Sequence, residues 1–111
     1  MTEKVERILC AAIWVDTGKP EPPRLSYSYP TTGLLFCGWR HGDCLVTLHA
    51  WSDRLTVAER QQVGEEQLCG QHQGFLTSLG RYVDRKKAIA IARAAGQTDS
   101  TKSGLFSEDI Y

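Results

Sequence analysis

The chain has 111 residues and a formal net charge of zero, with 13 Lys and Arg against 13 Asp and Glu. That length suits one domain with one core. The balanced charge argues against a protein that coats DNA or RNA, which draws on excess positive charge, yet it leaves room for a local basic cluster that holds a small anion.

Four cysteines, Cys10, Cys37, Cys44 and Cys69, raise the question of a disulfide framework. Met1 to Arg7 is charged and does not read as a signal peptide. No apolar run approaches the roughly 18 residues of a transmembrane helix. Free, mostly buried thiols in a reducing cytosol are therefore expected.

In chain order, ILCAAIWV (8–15) is β-branched, apolar and bounded by Asp16-Thr17-Gly18, which predicts a buried strand. Residues 19–32 hold all four prolines, with Tyr27 and Tyr29 among them, and read as a loop. LLFCGW (34–39) predicts a second strand. From His41 onward Cys44, Leu45, Leu48 and Trp51 recur at spacings of three and four, the face of a helix. TVAE (56–59) is a capping box that starts another helical stretch, ending near Gly64 or Gly70. GFLTS then predicts a third strand. Asp84 is a good N-cap for KKAIAIARAAG, a helix stopped by Gly96. Residues 98–104 read as a polar linker and 105–111, LFSEDIY, as a docked tail. The expected fold is a single α+β domain: a small, mostly antiparallel sheet from the N-terminal half, packed with two to three helices.

Arg85, Lys86 and Lys87 open the last helix, where positive charge opposes the macrodipole. The free N–H groups of a first turn form an anion site. With Arg81 across the turn, this cluster suits a phosphate or pyrophosphate. Thr77 and Ser78 add hydroxyls, and Phe75 and Tyr82 add aromatic faces for a base. The bland alternative is a solvated basic surface partly offset by Asp84. GWRHGDC (38–44) places Arg40 and His41 at a second helix start, suited either to an anion or to ordinary capping. Cys37-x3-His41-x2-Cys44 with Cys69-x2-His72 offers metal ligands, but not at the spacing of a standard knuckle, so no metal is expected. No Walker loop, dinucleotide fingerprint or local nucleophile signature is present.

Taken as a set, ILCAAI, TGLLFCGWRHGDC, QGFLTSLGRYVDRKKA and LFSEDIY resemble small phage and prophage proteins, the phage anti-Thoeris sponge family. The resemblance covers most of the chain. It implies a protein without catalysis or cofactor that sequesters cyclic ADP-ribose isomers made by bacterial TIR-domain enzymes. Some members also trap cyclic oligonucleotide signals of the CBASS system. It further implies a homo-oligomer in the host cytoplasm, a dimer or a hexamer, with ligand pockets between protomers and with neither membrane nor nucleic-acid polymer as partner. The family's motifs fall on Arg40, His41, Phe75, Thr77, Ser78, Arg81, Asp84 and Arg85, which become candidate ligand contacts, and Tyr82 joins them as a stacking surface. The glycine-rich, acidic GEEQLCGQHQ departs from the family pattern, which bears on pocket width and ligand choice. Two alternatives stand beside this reading: a small nucleotide-cleaving enzyme, and a protein-binding inhibitor of a host defence complex acting through the Tyr27/Tyr29 loop.

Overall fold

A computed structural model describes residues 5–18 and 33–110. The proline-rich segment with Tyr27 and Tyr29, and the terminal Tyr111, lie outside the described residues. Four strands, β1 (Ile8–Val15), β2 (Leu34–Gly38), β3 (His72–Thr77) and β4 (Tyr82–Asp84), form one sheet in the order β2-β1-β3-β4. Every pairing is antiparallel. The α+β class holds, but the sheet is not confined to the N-terminal half: β3 and β4 come from the second half of the chain.

Side chains alternate between faces along each strand. Ala11, Ile13 and Val15 of β1 therefore join Phe36, Phe75 and Val83 in a single core. Two helices complete that core. α1 (His41–Ser52) contributes Cys44 and Leu48, with Leu45 and Trp51 partly buried against them, as the spacing of apolar residues predicts. α4 (Arg85–Ala94) contributes Ala88, Ile89 and Ala92. Burying Ile13, Leu48 and Phe75 completely is worth roughly 1.5–3 kcal/mol each. The other sheet face carries Cys10, Ala12 and Trp14 from β1, Cys37 from β2, His72 and Leu76 from β3, and Tyr82 from β4.

α2 (Val57–Val63) begins in the expected capping box. Glu59 N–H donates to the Thr56 hydroxyl, and Thr56 N–H donates to the Glu59 carboxylate. GEEQLCGQHQ is more than a connection. It forms the short α3 (Glu65–Leu68) and enters β3, raising the α-helices among the described residues to four. Between β3 and β4 a three-residue loop closes through Gly80 N–H to Thr77 O and Thr77 N–H to Arg81 O. Gly80 supplies the left-handed position, φ 77°, that such a hairpin requires. α4 ends in a Schellman motif: Gly96 N–H bonds Arg93 O, and Gln97 N–H bonds Ala92 O. Among the described residues no helix is long and apolar enough to cross a membrane.

Candidate functional site

The basic first turn of α4 is built differently from a simple anion cradle. Asp84 caps the helix by accepting from Lys87 N–H at 2.7 Å, so one of the free donors there is already occupied. Arg85 turns away to the C-terminal segment. Its Nη1 donates to Leu105 O at 3.0 Å, and its Nη2 donates to Gln73 Oε1 at 2.7 Å. The guanidinium lies 4.4 Å over the Phe106 ring, and Leu105 N–H returns a bond to Arg85 O. Leu105 itself is fully buried in the core. Arg85 therefore clasps the C-terminal segment, and burial lowers its pKa from the usual value.

Arg81 is likewise engaged within the chain. Its Nε and Nη2 reach the Glu6 carboxylate at 2.7 and 2.6 Å, a bidentate pair. The hydroxyl of Thr77, a buried residue, donates to the same carboxylate at 2.6 Å. Arg81 first, then Thr77, hold the Glu6 carboxyl below the usual carboxylate range, against the effect of burial. Ser78 pairs with Arg7 through both backbone and hydroxyl. Ser78 also lines a depression of about 610 Å³ with Val5, Arg7, Leu79, Ala94 and Ala95. That depression brings no aromatic ring to a ligand.

Arg40 and His41 do not converge as the sequence suggested. Arg40 N-caps α1, and its N–H donates to Asp43 at 3.1 Å. His41 turns inward and is buried. Its Nε2 donates to Gly74 O at 2.7 Å, which places the ring proton on that nitrogen, and its ring meets Phe75 edge-on. Desolvation lowers its pKa from the ordinary value, so the ring is neutral. Phe75 is fully buried. The aromatic face expected of it for a base is taken up by the core, because residues 73, 75 and 77 share the helix-covered side of β3.

The other side of the sheet gathers an aromatic group of which sequence reasoning named only Tyr82 as a ligand contact. Trp14 stands 5.0 Å from His72 and 6.0 Å from Tyr82, centroid to centroid. The three rings, with Val83, Asp84 and Lys87, line a cleft of about 250 Å³. The Tyr82 ring lies over Gly74, where a β-carbon would meet ring atoms at 2.8 Å. Gln67 fixes His72: its Oε1 accepts from Asp16 N–H, so its amide nitrogen faces and donates to His72 Nε2 at 3.2 Å. Of the nine candidate residues, Tyr82 and Asp84 are the two brought together here. The signal for Trp14 and His72 was the strand alternation itself, which sets 12 and 14 against 11, 13 and 15. Among the described residues no three His, Cys, Asp or Glu side chains are grouped to hold a metal.

A family model for the phage T4 y16D protein matches residues 7–111. The chain belongs to that phage family. The matched range takes in every strand and helix of the y16D-type domain and all nine candidate residues, while Glu6 lies just outside it. No curated protein and no solved structure matches the chain. The thiols differ from expectation: only Cys44 is buried, whereas Cys10 is half-buried and Cys37 and Cys69 are exposed.

Proposed function

We propose that this phage protein binds and sequesters a cyclic nucleotide immune signal in the host cytoplasm without degrading it. The favoured ligand is a cyclic ADP-ribose isomer, and cyclic oligonucleotides of the CBASS type form the second ligand class. The carrying observation is the Trp14–His72–Tyr82 cleft that runs to Asp84 and Lys87 at the start of α4. An aromatic wall suits a base, an exposed carboxylate suits ribose hydroxyls, and an ammonium at a helix start suits a phosphate. Membership of a phage family supports the setting, and the likeness to anti-Thoeris sponges supports the ligand class.

At about 250 Å³ the cleft lies below the roughly 300–1,000 Å³ that encloses small-molecule ligands. A base and one phosphate fit it. The rest of a cyclic dinucleotide-like ring needs a second copy of the chain to cover it, in line with a homo-oligomer.

Incubation with the signal followed by heat denaturation tests the reading. Intact, active signal recovered from the supernatant supports sequestration, and loss with turnover makes the protein an enzyme. Saturating ligand at about 100 times Kd adds about 2.7 kcal/mol of stability, so a melting temperature unmoved by any cyclic nucleotide sinks the proposal and favours a protein target. Trp14→Ala and Lys87→Ala are each expected to weaken binding tenfold or more. Equal affinity in both variants would place the ligand elsewhere.

A further inference from the structure

Cys10 and Cys37 occupy the sheet face opposite the helices, on hydrogen-bonded neighbouring strands. The ladder pairs Ala12 with Cys37 and ends where Ala11 meets Gly38, which leaves Cys10 diagonal to Cys37 at the ladder's end. Both are free, one half-buried and one exposed. The Cys37 S–H donates to the Cys10 sulfur, and the Gly38 N–H donates to the same atom. Two donors aimed at one sulfur favour its thiolate, so the Cys10 thiol is lowered to about 7, while Cys37, the donor, is raised. An ordinary thiol near 8.5 is only a few per cent ionised at neutral pH; the lowered Cys10 thiol is the more readily ionised of the pair. Cys44, by contrast, is pushed up to about 11 by burial.

Diagonal neighbours in a sheet ordinarily stand about 7–8 Å apart, wider than the roughly 4 Å between the β-carbons of a disulfide. Here the register slips between Ile8 and Cys10 in the pairing of β1 with β3. Such a bulge increases local twist and bends the strand. With the β2 ladder ending one residue away, this is where β1 can bring Cys10 toward Cys37.

We propose that Cys10 and Cys37 form a dithiol site that a small disulfide such as glutathione disulfide oxidises to an intramolecular bond tying β1 to β2. The Cys10 thiolate attacks one glutathione sulfur, that S–S bond breaks, and the first glutathione leaves as a thiolate. The leaving thiolate takes the Cys37 proton. Cys37 then attacks the Cys10 sulfur, forms the protein disulfide and expels the second glutathione, which is protonated from water. Two protein thiols are oxidised, and one glutathione disulfide is reduced to two thiols. The bond bridges the strands on either side of residues 19–32 and is reversible by excess reduced glutathione. The proposal is independent of the nucleotide reading.

The test uses the reduced, full-length protein equilibrated in glutathione redox buffers at pH 7, quenched with acid, unfolded and labelled with a maleimide. In oxidised buffer the intact mass falls by two hydrogens, two of the four thiols lose their label, and a cross-linked peptide joins Cys10 to Cys37. Cys37→Ser stops at a glutathione adduct on Cys10, and Cys10→Ser gives neither adduct nor cross-link. Cys37→Ala serves where the serine variant fails to fold. In the Cys37 variants, which lose one donor, Cys10 alkylation by iodoacetamide at pH 7 slows several-fold relative to wild type. Thiols at Cys10 and Cys37 that stay reduced in fully oxidised glutathione overturn the proposal, as does a first adduct on Cys69 or a disulfide to another cysteine.

Discussion

Arg85→Met separates the structural use of the basic first turn from a purely electrostatic one. Methionine keeps an apolar stem of similar length and deletes the guanidinium. The losses are the bonds to Leu105 O at 3.0 Å and Gln73 Oε1 at 2.7 Å, and the stacking 4.4 Å over Phe106. Arg85 is only partly buried, so each bond is worth about 1 kcal/mol and not the 1.5–3 kcal/mol of a dry, charged one. The cation–π contact adds about 0.5–1 kcal/mol. Relief of the unfavourable dipole interaction returns about 0.3–1 kcal/mol. The net expectation is a loss of about 2 kcal/mol, which lowers the melting temperature of a domain this size by roughly 5–12 °C. Thermal and urea unfolding followed by circular dichroism measure it, and limited proteolysis should show cleavage moving into residues 98–110. The control is Lys86→Met, on the exposed side of the same turn, expected to be neutral or slightly stabilising. A loss below about 0.5 kcal/mol for Arg85→Met, or an equal loss for Lys86→Met, would refute the clasp.

Other perturbations read other parts of the fold. The Glu6 carboxyl is held below its unfolded value, so its contribution is present above about pH 4.3 and lost as pH falls through the folded value. Arg81→Gln should therefore lower stability at pH 7 by about 1–3 kcal/mol and flatten the acid limb; an acid limb identical to wild type would contradict the pairing. His41, lowered by burial, remains neutral in the folded state while the unfolded ring takes a proton below about pH 6.5. Stability thus declines as pH falls from about 6.5 toward the folded value, and His41→Gln should remove that slope in denaturant midpoints measured from pH 7 to 5. Gly74→Ala would place a β-carbon 2.1 Å from Val83 O and 2.8 Å from the Tyr82 ring. Overpacking of this kind costs about 1–3 kcal/mol or more and should disturb the near-UV signal of Trp14 and Tyr82; an unperturbed spectrum at native stability would argue against the ring's position.

What was legible in the sequence was local. The limits of β1, the Thr56–Glu59 capping box, the Asp84 cap and the Gly96 stop all depend on residues within a few positions of one another, and each is found where it was expected. β4 escaped notice because Tyr82–Asp84 is only three residues long and merges into the helix cap. α3 escaped because four residues carry no period. The candidate site was less legible because its logic is non-local. Arg81 is set by Glu6 and Arg85 by Leu105, partners that no spacing rule connects. Phe75 was nearer to hand: alternation along His72–Thr77 puts it on the same side as Thr77 and opposite His72. The residue type offered a stacking face, but the parity of the strand assigned that face to the core.

The two arginines that looked most like hands for a phosphate are thus holding the protein's own carboxylate and carbonyl groups. This changes the electrostatics of any anion site at the start of α4. Within the cleft, the formal charge of Lys87 is matched by that of Asp84, with His72 the only other titratable base among its lining residues. A pyrophosphate carries two negative charges, and a nearly neutral cleft offers them little long-range attraction. The aromatic wall can supply stacking and area, but it cannot supply charge balance. A single protomer therefore presents half a site for such a ligand, complete for a base and incomplete for its phosphates. The sequestration proposed above therefore calls for cations from a second copy of the chain, and the small size of the cleft is a reason for the same cover. Both arguments, volume and charge, are reasons to test the proposed affinity together with self-association: a strictly monomeric protein that binds the signal tightly would contradict them.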